Sequence, residues 1–456
     1  MDENKIIIRS DGDPFQVCQS TGKTRRDFLI GASAVLGSAL LTSNRPVTAA
    51  EKIKTKARIV IAGGGAAGLA AASQLVTMIE GADIKLFDAR REHYYQPGFT
   101  LVAGGLKPPS YTVSNTSDYI PAGVQWIEES IKEFDPEGNS VTTDKGQRFS
   151  YDFLIVATGL KLDFSAIAGM DLQRVGKNGL GCPYAGPDAA YATWQAISTF
   201  ADKGGVGLFG RPKTEMKCAG APIKHTFITD DHLRRRGNRT KAEIIYTAHN
   251  KALFSVPIVS EKVRMLYEDR GISVRHDYVL IAIDPDRRRA TYTTPTGTEE
   301  IGYDYINVIP PMRAPDPVRT SLLAWREGAF AADGWMEVEP RTLRHRRFTN
   351  VFGVGDVAGV PKGKTAASVK WQIPVALDHL LASIKGGTAS SVYSGYTSCP
   401  LITRLGRAML IEFDYKDNLV PSFPGVIAPL EELWITWVMK TIALKPTYIA
   451  MLRGKA

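Results

Sequence analysis

Apolar residues along this chain gather in short runs separated by glycines and small-residue stretches, and their order predicts an α/β fold. Residues 57–62 (Ala-Arg-Ile-Val-Ile-Ala) read as a short buried strand. Gly63-Gly64-Gly65-Ala66-Ala67-Gly68 follows, then an Ala/Leu-rich helix from Leu69 to about Met78, then a strand, Ile84-Lys85-Leu86-Phe87, ending in Asp88. Two further apolar runs carry the same signature of buried parallel strands: 153–159, ending in Ala157-Thr158-Gly159, and 350–356, ending in Gly355-Asp356. Between them, 206–210 and 243–246 predict strands of a second α/β domain over about 176–310.

Strand, glycine turn, helix, strand and acid form the dinucleotide-binding βαβ unit. Gly63 makes the turn; Gly65, with Ala66 beside it, lets backbone N–H groups approach a pyrophosphate; Gly68 lets helix and strand pack closely. Asp88, twenty residues past Gly68, is placed for a ribose hydroxyl. The order and spacing of the 57–62, 153–159 and 350–356 strands favour FAD over NAD, with Ala157, Thr158 and Gly159 where the chain leaves the first domain. In two-dinucleotide-domain flavoproteins, which the chain resembles here, an acid at Asp356 binds the ribityl chain. The second domain breaks the pattern. After Val206–Gly210 no Gly-x-Gly-x-x-Gly follows, and Glu243–Tyr246 leads to Thr-Ala-His-Asn with no acid for a nicotinamide ribose. NADH is therefore not the expected donor.

The expected organisation is a signal segment over 1–49, an FAD-binding domain over 50–175 and 311–390, a second Rossmann-like domain over 176–310, and a C-terminal region over 391–456. The fold class is thus two tandem Rossmann-like domains with C-terminal membrane-interface helices. In the first segment Thr24-Arg25-Arg26-Asp27-Phe28-Leu29 is a twin-arginine pattern, followed by an apolar stretch to Leu41 and a small-residue cleavage signal after Ala49. This predicts export to the periplasm. At the other end, 429–454 mixes Trp434, Trp437 and Tyr448 with aliphatics and with Lys440, Lys445 and Arg453. No window offers 18 uninterrupted apolar residues, so the segment is expected to lie in a membrane interface or to pack on the protein itself.

Composition adds less. Apolar content of 44% and charged content of 23% are those of an ordinary globular protein. The net charge is +9, with +8 outside the first 49 residues. The basic clusters at 233–239 and 341–347 would suit anionic lipid or small anions, though such runs are usually solvated faces; no nucleic-acid fold signature accompanies them. The seven histidines show no metal spacing, and no metal is expected. Outside the leader three cysteines stay: Cys182, Cys218 and Cys399. Cys218 and Cys399, 181 residues apart, each sit in a distinctive sequence. A flavin beside a cysteine pair suggests chemistry in which sulfur takes or gives two electrons, although a structural disulfide would also explain the pair. Cys182 reads as a buried free thiol.

Several motifs together resemble the sulfide:quinone oxidoreductases, in the branch to which the mitochondrial enzymes belong. They are His93-Tyr94-Tyr95-Gln96-Pro97-Gly98, Lys217-Cys218-Ala219-Gly220-Ala221-Pro222, the 350–356 strand, Gly363-Lys364-Thr365-Ala366-Ala367, Gly395-Tyr396-Thr397-Ser398-Cys399-Pro400-Leu401, Glu412–Lys416 and Met451-Leu452-Arg453-Gly454. The resemblance implies FAD, sulfide as donor, a membrane quinone as acceptor, a sulfane-sulfur acceptor and peripheral membrane attachment. It also implies that Cys399 takes the sulfide sulfur as a persulfide and Cys218 leaves as a thiolate beside the flavin. A leaving thiolate needs a depressed pKa, which cations provide; Lys217, Lys224 and Lys364 are the candidates by motif. The leader departs from the mitochondrial pattern. Three competing readings remain: a flavocytochrome c-type sulfide dehydrogenase, for which no Cys-x-x-Cys-His is present; a type II NADH dehydrogenase; and a flavin-bearing binding protein without turnover.

Overall fold

A computed structural model describes residues 51–455; the twin-arginine segment and its cleavage point lie outside them. The first sheet begins with β1 (Arg58–Ala62), passes through α1 (Ala66–Met78), and adds β2 (Asp83–Phe87), β3 (Val124–Ile127) and β4 (Phe153–Val156). Ile59, Val60, Ile61 and Ala62 are buried in succession, as expected of a strand covered on both faces. The helix starts three residues before the position read from the sequence. Its alanines keep side chains short where it lies against the sheet: Ala67 and Ala70–Ala72 are all buried.

The second sheet is assembled from β5 (Leu180–Gly181), β6 (Gly205–Gly210), β7 (Ala242–Ala248), β8 (Ile272–His276) and β9 (Tyr305–Asn307), with helices α2 (Pro187–Lys203), α3 (Ala221–Arg235) and α4 (Pro257–Asp269). The chain then returns to the first sheet as β10 (Val351–Gly353), followed by α5 (Ala366–Ile384). The strand orders are β10-β4-β1-β2-β3 and β5-β9-β6-β7-β8, and every pairing in both is parallel. The two sheets have the form of Rossmann-like units, with apolar strands between helical layers.

An antiparallel hairpin, β11 (Thr397–Arg404) and β12 (Arg407–Phe413), packs against α3. The chain closes with one continuous helical segment: α6 (Trp434–Val438), a π-helical turn (Met439–Ala443) and α7 (Leu444–Leu452). Among the described residues no helix is long and apolar enough to cross a membrane. Instead α7 lies on α1, where the Ser73 hydroxyl donates to the Leu452 carbonyl at 2.6 Å and Tyr448 Oη meets His93 Nε2 at 2.8 Å.

The basic run at 233–239 is not a free anion-binding face. Arg234 and Arg239 both hold the buried Asp230, Arg235 holds Asp231, and Arg236 holds Asp202. In the second run Arg347 pairs with Glu337 and Arg344 lies over the Phe352 ring. These arginines work mainly as staples between elements.

Candidate active site

The glycine turn between β1 and α1 has the shape a dinucleotide needs. Gly63 adopts φ +109°, and a Cβ there would stand 2.5 Å from the Ala157 carbonyl oxygen. A Cβ on Gly68 would stand 1.8 Å from the Gly63 carbonyl oxygen, so only glycine lets the helix start this close to the strand. Gly65, by contrast, faces open space, with no protein atom within 4 Å of such a Cβ. Asp88 closes β2 and accepts from the Gly64 N–H at 2.8 Å. Across the sheet the Thr158 hydroxyl is buried without a hydrogen-bond partner, a group waiting for a ligand atom. Gly159 beside it is open, and Asp356 follows β10; burial raises the Asp356 carboxyl while Lys217 and Lys364 pull it down. Glycine cradle, orphaned hydroxyl and half-buried acid fit an FAD running across the carboxyl ends of β1, β4 and β10.

Three distant segments bring two cysteines together next to this cradle. Cys218 lies in the loop between β6 and α3, in the left-handed region at φ +50°, an unusual conformation for a side-chain-bearing residue. Its N–H donates to the Lys364 carbonyl at 3.0 Å, and Tyr184 Oη donates to the carbonyls of Lys217 and Cys218. The strained loop is thereby held from both sides. Cys399 comes from β11, which lies against α3. A Cβ on Gly220 would stand 2.5 Å from Cys399 Sγ, so this glycine is what lets the sulfur come in beside the Cys218 loop. Both cysteines are free, and their sulfurs share a hydrogen bond.

The hydrogen bond from Cys399 depresses the Cys218 thiol well below the ordinary cysteine value, overcoming burial, with Lys224 and Lys440 adding to the effect. The same bond and burial push Cys399 up. Cys218 is thus the thiolate and Cys399 the thiol. Lys224, in the first turns of α3 and 1% exposed, places Nζ 3.6 Å from Cys218 Sγ. Burial works against its charge, but the two sulfurs hold its ammonium above the ordinary lysine value.

The three lysines singled out by motif separate on inspection. Lys224 touches the pair. Lys364 is buried under the first domain, donating to the Asp356 and Ala358 carbonyls at 2.8 and 3.0 Å and stacked 3.6 Å from the Trp335 ring centre; burial lowers it to about 8. It lies beside Asp356, and only its backbone carbonyl reaches Cys218. Lys217 points away, to Gln96 Oε1 at 2.6 Å. Sequence reasoning missed a fourth. Lys440, in the π turn, is 3% exposed, donates to the Pro97 carbonyl at 2.9 Å, and faces Lys224, Cys218 and Cys399; burial lowers it to about 8. The one signal that could have found it is a lysine within a largely apolar helical segment. Cys182 takes no part: fully buried in an apolar cluster of the second domain, its thiol is pushed up to about 12.

Comparison with known proteins agrees with this architecture. Residues 57–181 match the pyridine nucleotide-disulphide oxidoreductase family. The chain is 35% identical to the mitochondrial sulfide:quinone oxidoreductase of Mus musculus, covering 81% of each. It is also 35% identical to that of Dictyostelium discoideum, covering 82% of this chain and 81% of the other. The solved sulfide:quinone oxidoreductase of Aquifex aeolicus superimposes with a TM-score of 0.71 at 20% identity, covering 88% of this chain and 92% of that one, which is a likeness of fold. Built on a flavin cradle with paired sulfurs and carrying this degree of identity along most of its length, the chain belongs to the sulfide:quinone oxidoreductase family and is an FAD-dependent oxidoreductase.

Proposed function

We propose that the protein oxidises sulfide through the Cys218/Cys399 pair and delivers the electrons to a membrane quinone. The observation that carries the reading is the unequal pair itself: a half-buried thiolate-forming Cys218 and a buried, thiol-holding Cys399, with Lys224 at 3.6 Å from Cys218. Starting from the bridged Cys218–Cys399 disulfide, HS⁻ attacks Cys399 Sγ, the S–S bond breaks, and the products are a Cys399 persulfide and a Cys218 thiolate. The attacked bond breaks toward the sulfur of lower pKa, which is the better leaving group, and that is Cys218. An anionic or thiol acceptor then takes the outer sulfur from Cys399. As the Cys218–Cys399 bond re-forms, two electrons leave the pair and the Cys399 proton is released. Bound FAD supplies the two-electron acceptor that stands between the sulfurs and quinone. Lys224 steadies the Cys218 thiolate; Gly63, Gly65, Ala66, Gly68, Asp88, Ala157, Thr158, Gly159 and Asp356 hold the cofactor, with Lys364 beneath it.

The quinone half rests on the outer surface of the C-terminal segment. Phe423, Val426, Trp434, Ile435 and Ile442 are large apolar side chains left 44–79% exposed. Lys445 of the same segment and Lys107 both lie over the Tyr111 ring. Aromatic and aliphatic residues accompanied by lysines suit an anionic lipid interface. With the twin-arginine leader, this supports attachment to the periplasmic face of a bacterial inner membrane.

The test is anaerobic mixing of the yellow protein with sulfide. The flavin absorbance of the wild type should bleach and return on addition of a soluble quinone. In Cys218→Ser and Cys399→Ser the bleaching should vanish while FAD stays bound. Turnover retained in both variants would overturn the mechanism.

A further inference from the structure

Cys399 stands at the edge of an apolar core, and one aromatic ring closes on the same point as its sulfur. A Cβ placed on Gly220 would meet three groups at once: Cys399 Sγ at 2.5 Å, Leu401 Cδ1 at 3.3 Å and Phe254 Cε2 at 3.5 Å. The Phe254 ring also meets Phe413 edge to face, with centroids 5.7 Å apart. Leu401, Phe254 and Phe413 are 0%, 3% and 5% exposed, and Cys399 keeps 7%. The way to Cys399 is therefore narrow, and its walls are apolar and closely packed.

Phe254 lies only one residue below the surface. It belongs to the loop between β7 and α4, where Lys251 and Ser255 on either side of it are exposed. Its neighbours are tied down. The Leu253 N–H donates to Ser260 Oγ at 2.9 Å, the Ala252 N–H donates to Asn250 Oδ1 at 3.0 Å, and the Asn250 carbonyl meets His276 Nδ1 at 3.0 Å. Val256, two residues on, is fully buried. The ring is a fixed wall beside the sulfur.

We propose, resting on the sulfur-pair reading above, that Phe254 sets the size of the nucleophile that reaches Cys399, so that this site works with compact sulfur nucleophiles and refuses thiols of peptide size. Hydrosulfide is a single heavy atom and sulfite a compact oxyanion, whereas glutathione brings a peptide backbone with it. An apolar wall offers that backbone no partner for the water it would shed. In the transfer, sulfite attacks the outer sulfur of the Cys399 persulfide and forms a new sulfur–sulfur bond. The bond to Cys399 breaks, thiosulfate departs, and the proton of the outer sulfur passes to Cys399, which is left as the thiol.

The experiment labels reduced holoprotein with N-ethylmaleimide and with the bulkier pyrene maleimide, and reads each rate on the Cys399 peptide by mass spectrometry. Both reagents carry the same reactive group and meet the same thiol, so their ratio, normalised to free cysteine, reports size. In the wild type the smaller reagent should be favoured about tenfold or more, and in Phe254→Ala about threefold or less. Phe254→Leu keeps the core apolar and should fall between them; retained flavin absorbance shows that each variant is folded. A second arm follows sulfide-driven reduction of a soluble quinone with sulfite or glutathione as the acceptor. There Phe254→Ala should raise the rate with glutathione relative to sulfite by about tenfold. Equal labelling of the wild type, a preference that both variants keep in full, or a wild type that uses glutathione as readily as sulfite would overturn the proposal. The labelling uses no sulfide. A flavin that ignores sulfide while Phe254 still governs labelling would sink the proposed reaction and leave the size limit standing.

Discussion

At the scale of single residues the site is organised by two sulfurs that titrate in opposite directions. Neither cysteine would be poised alone: burial by itself pushes a thiol up, as Cys182 shows at about 12. Cys218 escapes this because Cys399 donates to it and Lys224 stands 3.6 Å away. Replacing Lys224 by Met removes that cation from a buried site. The pH profile of sulfide-driven flavin reduction should then move to higher pH, by about one unit or more. Stopped-flow bleaching across pH 6–10 checks this, and an unshifted profile would show that Lys224 only fills space. Gly220→Ala tests the geometry. Its Cβ would fall 2.5 Å from Cys399 Sγ, forcing the sulfur away from Cys218, so bleaching should slow at least 10-fold with FAD retained.

At the scale of elements the C-terminal segment is the least expected piece. Its pattern alone left open whether it faces lipid or packs on the protein, and the structure shows both an exposed and a packed side. The packed side includes the His93–Tyr448 contact, and this makes the attachment of α7 sensitive to acid. Burial lowers His93 to about 4 from an ordinary value near 6.5. Between those pH values the unfolded chain binds a proton that the folded chain refuses. Stability is therefore lost as pH falls from about 6.5 to about 4 and no further below, by up to about 3 kcal/mol. His93→Gln removes the titrating group, so its denaturation midpoint should fall less steeply than the wild type's across that window. Parallel curves would mean that His93 titrates normally.

At the scale of the whole molecule the second Rossmann-like sheet is kept but its use is changed. The loop after β6, where a nicotinamide fingerprint would stand, carries Cys218 instead, and β7 runs into His249 and not into an acid. NADH should accordingly fail to bleach the flavin under conditions where sulfide succeeds; bleaching by NADH alone would restore the dehydrogenase reading. The contrast also shows what could be read in advance. The first nucleotide fold was legible because Gly63 to Asp88 is a local pattern whose geometry follows from a few consecutive residues. The two cysteine motifs were legible as motifs, and so was the loss of the second fingerprint. What could not be read was closure in space: that Pro97, Cys218, Cys399 and Lys440 converge, that Lys364 serves the cradle while Lys224 serves the sulfurs, and that the arginines at 234–239 clamp Asp230, Asp231 and Asp202. Such neighbours are chosen by tertiary packing between segments far apart in sequence.

The lodging of α7 on α1 has a consequence for how the protein is made. Ser73 and Leu452, joined by one hydrogen bond, are 379 residues apart, and α1 also rests against α5. The first nucleotide-binding unit is translated long before α7, the segment that completes the cover of its helix α1. At about 5–20 residues per second, that helix waits some tens of seconds for its cover. A chain that stops short of residue 444 leaves part of α1 bare, so the first nucleotide-binding unit is not finished until α7 has been made.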